Sequence, residues 1–182
     1  MPNAYDTHCP VVPMREDSIN FVGAKYPNRE ETLQALVAAG LPVRAYGRAW
    51  SRHPYDILRT KQFKDSGVPA GRDVDRSEAY GIMASSPATL NIHNNQDGFT
   101  MRTFEAPGVG ALQVIDRADV DRYYIPGEEV LVYESIDELI EICTRIFREP
   151  KWARQIREAG QKRTLAEHTF DQRVKILEQL WA

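Results

Sequence analysis

From Ser18 onward, short apolar runs alternate with amphipathic stretches, and that alternation sets the predicted elements. Ile19-Asn20-Phe21-Val22 reads as a strand that stops at Gly23. Asn28 followed three residues later by Glu31 has the form of a capping box, and Leu33, Leu36 and Val37 give the helix behind it one apolar face. Gly40 ends that helix, and Val43 to Tyr46 reads as the next strand, ended by Gly47. Residues 51–72 read as loops around a short helical piece. Asp75 with Glu78 predicts a second capping box, opening a helix to about Ser85. Ala88 to Ile92 follows as a strand, then a loop through Gly98 and a helix from Phe99 or Thr100 to about Pro107. Ala111 to Ile115 and Val130 to Tyr133 read as the last strands. Three helices close the chain. The first has Ser135 and Glu138 as a capping box and a stripe of Ile136, Leu139, Ile140, Cys143, Ile146 and Phe147. The second starts at Pro150, where a missing N–H costs nothing. The third has Thr169 and Gln172 at its start and Phe170, Val174, Leu177 and Leu180 on its inner face.

Strands that alternate with helices predict a parallel sheet covered on both faces, and right-handed crossovers make it doubly wound and Rossmann-like. Residues 1–17, with Pro2, Pro10 and Pro13 and no periodicity, read as a linker or the remnant of an upstream region, leaving 18–182 as one domain. Composition removes several function classes. A net charge of -3 provides no general field for nucleic acid or an anionic membrane, so an anion site must be a local arrangement of donors. The longest mostly apolar stretch, Ala35 to Val43, is broken by Gly40 and Pro42 and is far short of the ~20 residues of a spanning helix. Two distant cysteines, Cys9 and Cys143, make no disulfide framework, and the default expectation is cytoplasmic.

In an open parallel α/β sheet, ligands bind beyond the carboxyl ends of the strands. Gly23-Ala24-Lys25-Tyr26-Pro27-Asn28-Arg29 falls at such an end. Its glycine turn, two cations and helix start suit an anion, although the segment alone fits a tight turn with solvated cations better. It is neither a P-loop nor a Gly-x-Gly-x-x-Gly fingerprint, which disfavours a dehydrogenase. Tyr46-Gly47-Arg48-Ala49-Trp50 ends the second strand, and Trp50 there fits packing better than base stacking. The most informative segment runs from Asn91 to Gly110. His93 and Asn94 end a strand, Asp97 and Gly98 lead to a helix, and the N–H groups at Phe99, Thr100 and Met101 can hold phosphate or sugar hydroxyls. Arg102 and Glu105 are three apart and share a helical face, and a carboxylate, which only accepts, suits the two hydroxyls of a ribose. The same pair could equally be a surface ion pair of little worth. His93 reads as lining the site, and a lone His168 before a helix cap invites a catalytic reading.

This segment resembles the acidic-seven-Glu motif of retaining glycosyltransferases with the two-domain GT-B fold. It is most similar to the spore-maturation-type branch, in Leu90-Asn91-Ile92-His93-Asn94, Arg102-Thr103-Phe104-Glu105, Gly108 and Gly110. Ile19 to Gly23, Tyr46-Gly47 with Trp50, Gly127-Glu128-Glu129 with the run Val130 to Tyr133, and Glu167-His168-Thr169-Phe170 with Arg173 extend the likeness from about Ser18 to the end. The resemblance implies the nucleotide-sugar-binding, C-terminal half of a transferase whose acceptor site lies in an N-terminal Rossmann domain, so that this chain is a piece of a longer enzyme. Carried over by position, Glu105 would bind the nucleotide ribose, Asp97 and the amides after Gly98 would face the donor sugar and phosphates, and Arg102 would steady the site. Asp97 stands where a Glu is commoner, one methylene shorter in reach. In the resembling enzymes the position of His168 belongs to a structural helix, so the resemblance implies a structural role for it. No cofactor or metal is expected, because the Asp-x-Asp match, Asp73-Val74-Asp75, lies where Asp75 reads as a helix cap. The alternatives are a non-catalytic nucleotide- or sugar-binding module and a GT-B-fold sugar-nucleotide epimerase.

Overall fold

The structure, a computed structural model, describes residues 2–93 and 97–181. Its centre is a six-stranded, all-parallel sheet in the order β3-β2-β1-β4-β5-β6. The strands are β1 (Ile19–Val22), β2 (Val43–Tyr46), β3 (Ala70–Gly71), β4 (Thr89–Asn91), β5 (Gln113–Ile115) and β6 (Leu131–Val132). The helices are α1 (Pro27–Ala38), α2 (Pro54–Thr60), α3 (Arg76–Ser85), α4 (Arg102–Gly108), α5 (Ile136–Arg148), α6 (Pro150–Glu167) and α7 (Phe170–Trp181). The doubly wound fold expected from the alternation is therefore the one observed, with the reversal of strand order between β1 and β4.

A core lies on each face of the sheet. On one, Ile19, Phe21, Leu33, Leu36, Leu139, Cys143 and Ile146 join β1 to α1 and α5. On the other, Tyr80, Met83, Phe104, Val120 and Tyr124 join α3 and α4 to the 3-10 turn Ala118–Arg122. Cys143 behaves as a small hydrophobe, and burial pushes its thiol up to about 12. The α5 stripe is narrower than its periodicity predicts, because Ile136 and Phe147 stay exposed.

Local differences have local causes. Asn28 does not cap α1. Pro27 occupies its first turn, and the residue before a proline is driven to extended backbone, so Tyr26 becomes the N-cap with φ -127 and ψ 156. The Asp75–Glu78 box forms with both arms, whereas at α5 Ser135 accepts from the Glu138 N–H and the Glu138 carboxylate accepts from Glu134. β3, two residues long, is too short to show a period. Residues 2–17 are tied to the domain along their length: Asn3 donates to the Phe99 carbonyl, Asp6 lies 3.8 Å from Arg76, and the Tyr46 hydroxyl donates to Glu16. Tyr5 makes backbone hydrogen bonds to His168 and Phe170, and the Val12 N–H donates to Ser77. Phe170 and Val174, expected inside, are exposed on α7, and only Leu177 is half-buried; the Leu180 side chain lies outside the description. Among the described residues no helix is long and apolar enough to cross a membrane.

Candidate functional site

A cleft of about 430 Å³ opens at the carboxyl ends of β1 and β4, where the strand order reverses. One wall is the β1–α1 turn, with Gly23, Ala24, Tyr26 and Arg29; the other is Thr100, Met101, Arg102 and Glu105. The turn is pinned from behind. Gly47 has φ +150, and a Cβ on it would stand 2.7 Å from the Gly23 carbonyl oxygen, which also accepts the Trp50 indole N–H at 3.0 Å. Trp50 is thus a packing residue that fixes the cleft wall.

Glu105 is the chemical centre of the other wall. It is 2% exposed, yet its carboxylate borders the cleft. Arg102 donates to one oxygen through Nη1; the Tyr80 hydroxyl donates to the other at 3.2 Å, with Arg76 Nε 3.5 Å from that same atom. Two guanidiniums, both partly exposed in the cleft, therefore converge on one buried carboxylate, a charged arrangement and not an idle surface pair. Burial, with the Glu105 charge second, pushes the Tyr80 hydroxyl pKa up, so it stays a donor. Arg76, Tyr80 and Tyr26 carry no sequence motif and were missed. Arg76 and Tyr80 come from α3, some 25 residues before the motif they complete.

Other expected residues are placed differently. Arg29 lines the cleft, but Nε and Nη2 donate to the Ile92 carbonyl and Nη1 to that of Ala24, so it ties β4 to the β1–α1 turn. Lys25 turns away from the cleft; its side chain is 9% exposed, and its ammonium is 2.9 Å from Glu30 and over the Trp50 ring. A nearly buried ammonium needs a carboxylate nearby, and Glu30 supplies it. His93, expected to line the site, is fully buried behind it. Its backbone N–H donates to Asp116, its Nδ1 is 3.2 Å from an Asp116 oxygen, and its Nε2 faces the Thr100 N–H at 3.3 Å and the Thr103 hydroxyl. That accounts for the Thr100 amide, expected to be open to a ligand. α4 consequently begins at Arg102 and not at Phe99 or Thr100. Asp97 is exposed and does not border the cleft, whereas Gly98 and Phe99 border a separate hollow with Arg117, which donates to the Gly98 carbonyl. Asn94 lies outside the described residues. Neither acid of the Asp-x-Asp match is at the cleft: Asp75 caps α3 and Asp73 pairs with Arg48.

A doubly wound parallel sheet with its cleft at the switch point defines a Rossmann-type α/β domain, and this one has the architecture of one half of a GT-B enzyme. The chain belongs to the glycosyl transferase-like family, which matches residues 29–179. No curated protein matches it in sequence. Among solved structures, sucrose-phosphate synthase from Thermosynechococcus elongatus is similar at 16% identity and a TM-score of 0.69, over 99% of this chain and 52% of that one. HepE from Anabaena, in complex with UDP-glucose, is similar at 14% identity and 0.66, over 91% and 49%. The C-terminal CMP-Kdo binding domain of WaaA from Acinetobacter baumannii gives 13% identity and 0.55, over 82% and 89%. The chain therefore spans about half the length of the larger transferases it resembles.

Proposed function

We propose that this chain is the donor-binding half of a glycosyltransferase, holding a nucleoside diphosphate sugar across the ends of β1 and β4. The observation that carries this reading is the buried Glu105 clamped by Arg76, Arg102 and Tyr80 in the switch-point cleft. A carboxylate has about four lone-pair sites, so one beyond these three partners is available to a ribose hydroxyl. Arg76 and Arg102 answer the phosphate charge, which leaves no demand for a divalent metal. UDP-glucose in HepE and the CMP-Kdo domain of WaaA support a nucleotide-activated sugar as the ligand class. The acceptor is held by a second Rossmann domain. Free, buried or half-buried thiols at Cys9 and Cys143 fit a reducing, cytoplasmic setting.

Calorimetry with UDP, GDP and CMP and their sugars, with and without a chelator, tests the reading. One nucleotide should bind regardless of chelator. Glu105→Gln, which keeps the shape but removes the charge, should weaken it by about tenfold to a hundredfold, the worth of a hydrogen bond to a charged group. Chelator-sensitive binding would refute the metal-free site, and unchanged affinity in the variant would refute the role of Glu105. A binding module or an epimerase could use the same cleft. Epimerised sugar nucleotide produced by the whole enzyme would favour the latter.

A further inference from the structure

We infer that the face formed by α2 and the loop after it docks on an anionic lipid bilayer. Three large apolar side chains stand out on this face: Tyr55 is 58% exposed, Leu58 73% and Phe63 69%. Tyr55 and Leu58 are three apart on α2 and share its outer side. Lys61, at φ 56, ends the helix in a left-handed turn. The chain then folds back, so that Arg52 Nη1 donates to the Phe63 carbonyl and Arg52 Nε lies 3.6 Å from Asp65. That return brings Phe63 to the same corner as the start of α2.

Charge decides what this corner fits. The chain as a whole carries -3, yet the segment from Arg52 to Lys64 holds Arg52, Arg59, Lys61 and Lys64 against the single acid Asp56. Asp56 is buried and taken by Ser51 and Arg72. Asp65, just beyond, faces Arg52. Arg59, Lys61 and Lys64 are exposed, with no ion pair to them among the described residues; Lys64 borders a hollow that also holds Glu31 and Glu30, the latter taken by Lys25, so Arg59 and Lys61 carry most of the free positive charge. Exposed aromatic and aliphatic side chains interleaved with unpaired cations match a headgroup layer of negative charge over an acyl boundary. A protein partner would have to supply apolar and acidic surface in the same interleaved spacing.

The location gives the surface a use. α2 starts from the same sheet edge as the cleft, and its root is held by the bond from Trp50 to Gly23 in the cleft wall. A docked chain therefore keeps its site beside the headgroups, within reach of an acceptor carried there.

Vesicle flotation tests this independently of nucleotide binding. The probes are vesicles of phosphatidylcholine alone and of phosphatidylcholine with about 30% phosphatidylglycerol, where surface charge supplies the attraction. The chain should bind the second and not the first, and rising salt should release it. Arg59→Gln with Lys61→Gln and Lys64→Gln should weaken binding by roughly fivefold per cation, about a hundredfold together. Leu58→Ser with Phe63→Ser should abolish it while leaving nucleotide affinity unchanged. Equal flotation on neutral vesicles, no flotation on anionic ones, or a self-dimer in sedimentation that Leu58→Ser with Phe63→Ser disrupts would each overturn the inference.

Discussion

The two buried histidines, His93 and His168, show how far a single residue's role depends on its partners. His168 sits between the Tyr123 carbonyl, which its Nε2–H meets at 3.0 Å, and Arg173 Nη2, which donates to Nδ1 at 3.3 Å. The folded chain therefore holds a neutral ring, and burial is the first cause lowering its pKa from the ordinary 6.5. The unfolded chain takes up a proton near 6.5, and the folded chain only at lower pH. Below 6.5 the unfolded state thus binds more protons, so this contribution to stability is present above 6.5 and is lost as the pH falls. Urea unfolding at about pH 7.5 and about pH 5.5 should show a loss for the wild type that is smaller in His168→Gln; equal losses would refute the assignment. The structural role of His168 came from the family resemblance, because its place before a helix cap by itself invites a catalytic reading. That of His93 was not legible, because Asp116, which fixes its ring, comes from the end of β5, 23 residues away.

At the scale of elements, capping residues were legible where the backbone left them free to act and illegible where proline set the start, as at α1. The glycines of the Gly108-Val109-Gly110 stretch separate into two physical roles. Gly110 has φ +77, a left-handed turn that closes α4. Gly108 is there for space: a Cβ on it would stand 2.3 Å from Tyr5 Cγ. Tyr5 cannot withdraw without breaking its backbone bonds to His168 and Phe170. Gly108→Ala should therefore destabilise the chain by about 1–3 kcal/mol, the usual cost of overpacking. Chemical denaturation measures it, and the loss caused by Gly108→Ala should be smaller when both chains compared already carry Tyr5→Ala. A neutral Gly108→Ala would show that the N-terminal segment does not clasp α4.

At the scale of the whole molecule, the cleft's lining among the described residues comes from the ends of β1 and β4, the turn after β1, Arg76 and the stretch from Thr100 to Glu105. Sugar transfer requires an acceptor hydroxyl held against the donor with water excluded. The chain alone should bind donor nucleotide, gaining about 2.7 kcal/mol of stability at a hundredfold excess over Kd, and transfer no sugar. On the proposed function, adding a second, acceptor-binding domain should restore transfer in a radiolabelled-sugar assay. Transfer by this chain at the rate of the two-domain enzyme would refute the division of labour.

The sequence by itself determined the class of fold, the helix starts at Asp75, Ser135 and Thr169, and the Arg102–Glu105 pair, because each is written in contacts between residues a few positions apart. Tertiary structure alone decided that Arg76 and Tyr80 complete that pair, that Lys25 turns to Glu30, and that His93 lies behind the cleft. For Arg76, Tyr80 and His93, the partner arrives from another crossover of the sheet, so its direction is fixed by how β1, β4 and β5 lie side by side. For Lys25, whose partner is only five residues away, burial against Trp50 rules out the solvated pose and makes the carboxylate necessary.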